Sequence, residues 1–304
     1  MAERKRRRKD KTMTKRSFLF VTLCLLSFFA LSCGRNENNS SSQKQDSIQI
    51  MGSDTMVNLG QAWAEGFMAK NPKAFVAVTG GGSGTGIAAL LNGTCDITET
   101  SRKIKQKEIE QAQKKGINPV EFTVALDGLA VVVHPENPVS QLTIDELADI
   151  FTGKIKNWKE ISGKDASIVL LSREVNSGTH VYFKEHVLRH GNEKGPEEFS
   201  ENALLMPSSQ AIADEISQNP SAIGYYGMGY SNPSQKVLAI AKDKNSPYYP
   251  PTIENVISNT YYISRPLLMY TNGTPQGVVQ EFLDFTLSEE GQEIVRKIDF
   301  VPIQ

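Results

Sequence analysis

Cysteine is almost missing from this 304-residue sequence: there are three, Cys24, Cys33 and Cys95. Cys24 lies inside an apolar leader and Cys33 directly behind it, so the exported body keeps only Cys95. A disulfide-stapled scaffold is therefore excluded, and stability has to come from core packing. Histidine is also scarce, with four residues. His186 and His190 stand at i and i+4 beside Glu185 and Arg189, a spacing read as a solvated helix face, so no metal site is expected.

Several sequence fingerprints are absent. In Gly82-Ser83-Gly84-Thr85-Gly86, Ile87 stands where a dinucleotide-binding turn needs its third glycine, and no GK[ST] follows for a phosphate-binding loop. Neither Gly81-Gly82-Ser83 nor Asn176-Ser177-Gly178 completes GxSxG. With no nucleophile set beside a base, no enzyme and no cofactor are expected.

Positive charge is short in the body. Residues 1–16 carry nine Lys/Arg and two Asp/Glu, leaving 33 − 9 = 24 basic and 34 − 2 = 32 acidic residues downstream, a balance of −8. An acidic body without a basic cluster argues against a nucleic-acid partner, and none is expected. Long hydrophobic runs are missing too: residues 18–31 form a 14-residue uncharged stretch, short of the roughly 20 that span a bilayer. Behind its basic start that stretch reads as a secretory signal peptide over 1–32. Cys33, in Ala30-Leu31-Ser32-Cys33, resembles the lipidated cysteine of bacterial lipoproteins, with the lipobox leucine one place off. Residues 33–46, rich in Asn, Ser and Gln, are expected to be a lipidated polar tether.

What remains is ample for folding: 39% of the residues are hydrophobic and 22% charged, enough for one large domain or two smaller ones. From Ile48 onward short apolar runs alternate with amphipathic ones, the mark of α/β units. Strands are expected at 47–51, 74–79, 122–125, 129–134, 168–172 and 223–226, and a single last helix over 275–297. Trp63 and Phe67, at i and i+4, read as core contacts. The tyrosines at 225, 226, 230, 248, 249, 261 and 262 read as packing.

Three segments share one plan, in which a strand ends, hydroxyl and glycine residues follow, and a helix begins. They are Gly52-Ser53-Asp54-Thr55, the glycine run 80–86, and Arg173-Glu174-Val175-Asn176-Ser177-Gly178-Thr179. Each helix start offers unpaired N–H groups and partial positive charge to an anion. Serine and threonine add donors, and Arg173 adds a guanidinium able to bind an oxyanion through two bonds. Three such starts suit a dehydrated tetrahedral oxyanion; ordinary N-caps and turns are the competing reading.

The first segment with Met56, the run GGGSGTGIAALLNG (80–93), ALDGLAVVV (125–133), IFTGKIKNW (150–158) and SREVNSGTHVYF (172–183) together resemble one family. It is the periplasmic phosphate-binding proteins of high-affinity bacterial phosphate ABC transporters, and the likeness runs over 48–303. The resemblance implies a type II periplasmic-binding-protein fold: two α/β lobes, a ligand cleft and two crossing hinge segments near Asp127-Gly128 and 262–266. Lobe one would comprise 47–127 and 263–304, and lobe two 128–262. It implies inorganic phosphate held by Thr55, the Met56 backbone, Ser83, Ser101, Arg173, Ser177, Gly178 and Thr179, and delivered to an ABC permease in the inner membrane. A monomer, periplasmic or at the cell surface and touching the membrane only through its lipid, follows from the same likeness.

One position departs from the family's best-known branch, which has an aspartate where this chain has Ser101. That carboxylate accepts the proton of hydrogen phosphate and so rejects sulfate. Asp54, next to Thr55, is the candidate replacement acceptor, and Glu174 beside Arg173 the second. Binding of sulfate or molybdate instead, or hydrolysis of a phosphate ester, are the alternatives.

Overall fold

The computed structural model describes residues 46–303. The expected signal peptide, Cys33 and the expected tether lie outside the described residues, except that Asp46, counted with the tether, opens β1. In chain order the elements are β1 (Asp46–Gly52), α1 (Val57–Lys70), β2 (Ala74–Thr79), α2 (Ser83–Leu91), β3 (Ile97–Thr100), α3 (Gln106–Lys114) and β4 (Pro119–Val133). There follow β5 (Gln141–Thr143), α4 (Ile144–Phe151), β6 (Val169–Arg173), α5 (Gly178–Phe183), β7 (Leu204–Met206), α6 (Ser209–Gln218) and β8 (Ala222–Gly227). The chain closes with β9 (Lys236–Val237), β10 (Ala239–Ala241), α7 (Ile253–Ile257), β11 (Ser264–Asn272), α8 (Gly277–Leu287) and α9 (Glu289–Lys297).

The main sheet runs β2-β1-β3-β11-β4-β8-β6-β7, and a separate pair joins β10 to β5. At one end β1, β2 and β3 are parallel, and at the other β6, β7 and β8 are parallel. Parallel strands need helical crossovers, which the alternating pattern supplies. The two ends are joined through antiparallel β4 and β11, and Asp127 lies opposite Arg265 in that pairing. Ile48 and Ile50 of β1 are buried in the same core as Trp63 and Phe67 of α1, and Phe67 meets Phe282 edge-on at 5.4 Å. The core reading of Trp63 and Phe67 therefore holds, as does packing for Tyr225, Tyr226, Tyr230 and Tyr261, whereas Tyr262 is exposed.

Three local expectations are corrected. Residues 122–125 and 129–134 are not two strands; β4 runs straight through Asp127-Gly128. The glycine serves close packing and not a turn, since a Cβ at Gly128 would stand 3.0 Å from Val256 and 3.1 Å from Pro251. The last helix is two, because Ser288 leaves helical geometry (ψ 164°) and its hydroxyl caps α9 by accepting from the Gly291 N–H, a local bond that competes with helix continuation. His186 and His190 do not share a helix face either. After α5 the chain makes a π turn over Lys184–Leu188, and His190 lies beyond it at φ +48°. His186 stacks on Tyr182, and no group of three or more metal-type ligands occurs among the described residues. Nor is any described helix long and apolar enough to cross a membrane.

Candidate functional site

Ser53, Thr55, Ser83, Ser101, Ser177 and Thr179 are each at most 2% exposed. They come from four places: the segment after β1, the start of α2, the residue after β3, and the start of α5. Six buried hydroxyl groups must find partners or forfeit free energy, and all but Ser177 find them among one another. Ser53 Oγ donates to Ser101 Oγ at 3.0 Å, and the Ser101 N–H donates to Ser83 Oγ at 3.0 Å. The Thr55 and Thr179 hydroxyls lie 2.8 Å apart although 124 residues separate them.

The three helix starts differ in how they are capped. Ser177 is an N-cap, its oxygen accepting from the N–H groups of Thr179 and His180. Ser53 and Gly82, at the other two starts, make no side-chain cap bond. Ser53 instead points into the hydroxyl group, and the glycines let the backbones of the two sheet ends touch. The Gly84 N–H donates to the Asn176 carbonyl at 2.9 Å, and Asn176 Nδ2 donates to the Gly81 carbonyl at 2.7 Å. Gly82 has φ +98°, and a Cβ there would stand 2.9 Å from the Asn176 oxygen, so only glycine fits.

Not every expected group points at this cluster. The Met56 N–H donates to the Ser53 carbonyl at 3.0 Å, and its side chain is core. Arg173, 1% exposed, spends its donors on the Met206 and Pro207 carbonyls and on Ser209 Oγ. Its Nη1 also lies 3.1 Å from Asp54 Oδ2, which accepts from the Ser209 N–H at 2.8 Å. Asp54 therefore does not cap its own helix; it ties the start of α1 to the start of α6. Glu174 is exposed. Gly178 is buried with no room for a side chain, since a Cβ would stand 2.3 Å from Ser83 Oγ and 2.6 Å from Ser101 Oγ. His180, behind Thr179, is held down to about 4 by burial and lies 3.3 Å from Ser172 Oγ.

Three groups were missed by sequence reasoning. Arg265 and Asp127 form a fully buried ion pair at 2.8 Å. A lone arginine within ISRPLLMY and a lone aspartate within ALDGLAVVV were the available signal, because charges in buried strands must be paired. The third, Glu99 of β3, is 1% exposed, and neither carboxylate oxygen has a hydrogen-bond partner. Gly60 of α1 makes room for it: a Cβ there would stand 2.4 Å from Glu99 Oε1.

Burial pushes the Glu99 carboxyl well above the usual carboxylate range. Folding thus favours its protonated form, and the associated stability is greatest below the unfolded-state value and declines as pH rises through the folded one. Chemical denaturation at pH 5 and pH 8 is expected to show wild type losing more stability across that interval than Glu99→Gln. The excess should be about 1.4 kcal/mol for each pH unit over which the folded chain alone keeps the proton. Equal pH slopes would refute this.

The chain is similar to known proteins over most of its length. The family described as the PBP superfamily domain matches residues 37–290. The Bacillus subtilis phosphate-binding protein PstS is 35% identical, covering 95% of each chain. The Pseudomonas aeruginosa PstS is 32% identical over 88% of this chain and 86% of its own. Among solved structures, a Clostridium perfringens substrate-binding protein with bound phosphate superimposes with a TM-score of 0.76 at 34% identity, covering 85% of this chain and all of that one. A Vibrio cholerae ABC-type phosphate transport receptor gives 0.66 at 30% identity, with coverages of 84% and 99%.

Proposed function

This chain belongs to the phosphate-binding PstS proteins of the PBP superfamily, and we propose that it captures inorganic phosphate in a cleft between two α/β lobes and delivers it to an ABC permease. The fold is the type II periplasmic-binding-protein fold. We assign 47–127 and 263–304 to one lobe and 128–262 to the other, with β4 and β11 as the hinge. The observation that carries the reading is the meeting of Thr55, from one lobe, with Thr179, from the other, inside a buried set of hydroxyl donors.

The chemistry suits phosphate. Hydroxyl and N–H donors in a water-poor cleft stabilise an oxyanion without a metal, and short-range bonds of that kind outweigh a screened field from an acidic body. Thr55, the Met56 N–H, Ser83, Ser101, Arg173, Ser177, Gly178 and Thr179 form the proposed ligand set. For Met56 and Arg173 this requires exchanging present partners for the anion. Asp54 is the proposed acceptor of the phosphate proton. Binding energy that differs between open and closed lobes closes the hinge, and the closed form is what a permease reads. No catalytic step is involved. The protein acts outside the cytoplasm as a monomer, held to a membrane through a lipid on Cys33.

Thermal unfolding of the chain from Asn36 onward, dialysed free of phosphate, tests this. Phosphate at about 100 times its dissociation constant should stabilise the fold by about 2.7 kcal/mol, whereas sulfate and molybdate should leave the midpoint near the ligand-free value. Equal shifts with sulfate would show that Ser101 has changed the specificity. No shift with any anion would overturn phosphate binding.

A further inference from the structure

The hinge carries more charge chemistry than a hinge requires. Arg265 and Asp127 are cross-strand partners on β11 and β4, 3% and 0% exposed. Arg265 donates from Nε and Nη2 to Asp127 Oδ2 at 3.0 and 2.8 Å, and Asp127 Oδ1 accepts the Met228 N–H at 3.0 Å. A buried ion pair of this kind adds little to stability, since desolvation consumes most of the attraction.

The remaining donors of Arg265 do not stay in the hinge. Nη1 donates to the Ser101 carbonyl at 3.0 Å, and Nη2 donates to Thr179 Oγ1 at 3.0 Å. Ser101 follows β3 in one lobe and Thr179 lies in the first turn of α5 in the other, so one guanidinium grips a proposed ligand residue from each side of the cleft. The Tyr182 ring, 5.5 Å from the guanidinium carbon, covers it from lobe two.

The direction of these bonds matters. Arginine cannot accept, so at Thr179 the hydroxyl oxygen is the acceptor, and its single proton is left to point elsewhere. The partner in reach is Thr55 Oγ1 at 2.8 Å, itself in the proposed ligand set. We propose that Arg265 is a positioning residue for the anion site: from the hinge, and anchored by Asp127, it orients the Thr179 hydroxyl as a donor into the cleft and fixes Ser101 opposite it. Ligand binding and lobe closure are then coupled through one side chain. The proposal rests on the phosphate reading above and names a residue outside that ligand set.

Calorimetric titration of phosphate into the full mature chain, with the ligand-free unfolding midpoint recorded for each variant, tests it. Lysine at 265 keeps the charge but cannot span three partners. Arg265→Lys is expected to weaken phosphate binding about tenfold, and in a Thr179→Val background to weaken it by less than about threefold, because the group it orients is gone. Equal losses in the two backgrounds, or a lowered midpoint with affinity unchanged, would overturn the proposal. If Arg265→Lys does not fold, the Arg265→Gln/Asp127→Asn double variant replaces the ion pair with a neutral one; it is expected to fold and bind about tenfold more weakly, and wild-type affinity there overturns the proposal equally. Failure of wild type to bind phosphate would instead remove the functional reading, and this proposal with it.

Discussion

Gly178→Ala is expected to weaken phosphate binding between about tenfold and a hundredfold, about 1.4–2.7 kcal/mol, while the ligand-free protein stays folded. The added methyl would stand 2.3 Å from Ser83 Oγ, 2.6 Å from Ser101 Oγ and 3.0 Å from Ser83 Cβ. In the lobe assignment proposed above all three atoms belong to the opposite lobe, so on that assignment the clash arises only when the lobes close. Overpacking a tight contact costs about 1–3 kcal/mol, and here the whole cost falls on the liganded state. The open state gains slightly, since Gly178 is the first residue of α5, has no positive φ, and alanine is the better helix former. Titration calorimetry with small-angle scattering separates the two states. The variant should remain expanded at phosphate concentrations that compact wild type, and wild-type affinity would show that the lobes do not close on Gly178.

Asp54→Asn is expected to raise the affinity for sulfate relative to phosphate by more than about tenfold, a change of about 1.4 kcal/mol. Asp54 Oδ2 faces Arg173 Nη1 and the Ser209 N–H, so its negative charge neutralises a guanidinium that is otherwise buried. Sulfate carries no proton at neutral pH and meets that carboxylate as a like charge; hydrogen phosphate can donate to it. Asparagine keeps an oxygen for the Ser209 N–H but removes the charge, leaving Arg173 uncompensated and the site more attractive to any dianion. Competition titration of phosphate against sulfate measures the ratio directly. An unchanged ratio would sink the acceptor role of Asp54. Glu174→Gln is expected to change nothing, because Glu174 is exposed.

Parts of the site were legible from residue order. The three strand-to-helix joins and their hydroxyls could be picked out because a helix start is a local event, written in glycine, serine, threonine and the apolar period that follows. Ser101 entered only through the family resemblance, having no local mark of its own. Arg173 was legible as a cation near the site but not in its geometry. Its carbonyl partners lie 33 and 34 residues further on, and Asp54 follows β1 at the opposite end of the sheet order.

Other features had no local signature. Glu99 reads as an ordinary polar residue of a short strand, and only the packing of Gly60 against it shows an unpartnered buried acid. The break at Ser288, by contrast, did have a mark that the single-helix reading passed over: Ser288-Glu289-Glu290 is an N-cap pattern, and no apolar side chain stands between Leu287 and Ile294.

By itself, then, the order of residues determined the α/β class, the single cysteine of the described body, its acidic balance and the three strand-to-helix joins, since each depends on composition or on neighbours within a turn or two. The tertiary structure decided which hydroxyls meet, that Asp54 bridges to Arg173, and that Arg265 and Asp127, 138 residues apart, share one buried position in the β4–β11 pairing. Those contacts depend on strand register and on how the two ends of the sheet come together, quantities set by the packing of the whole chain and carried by no single segment.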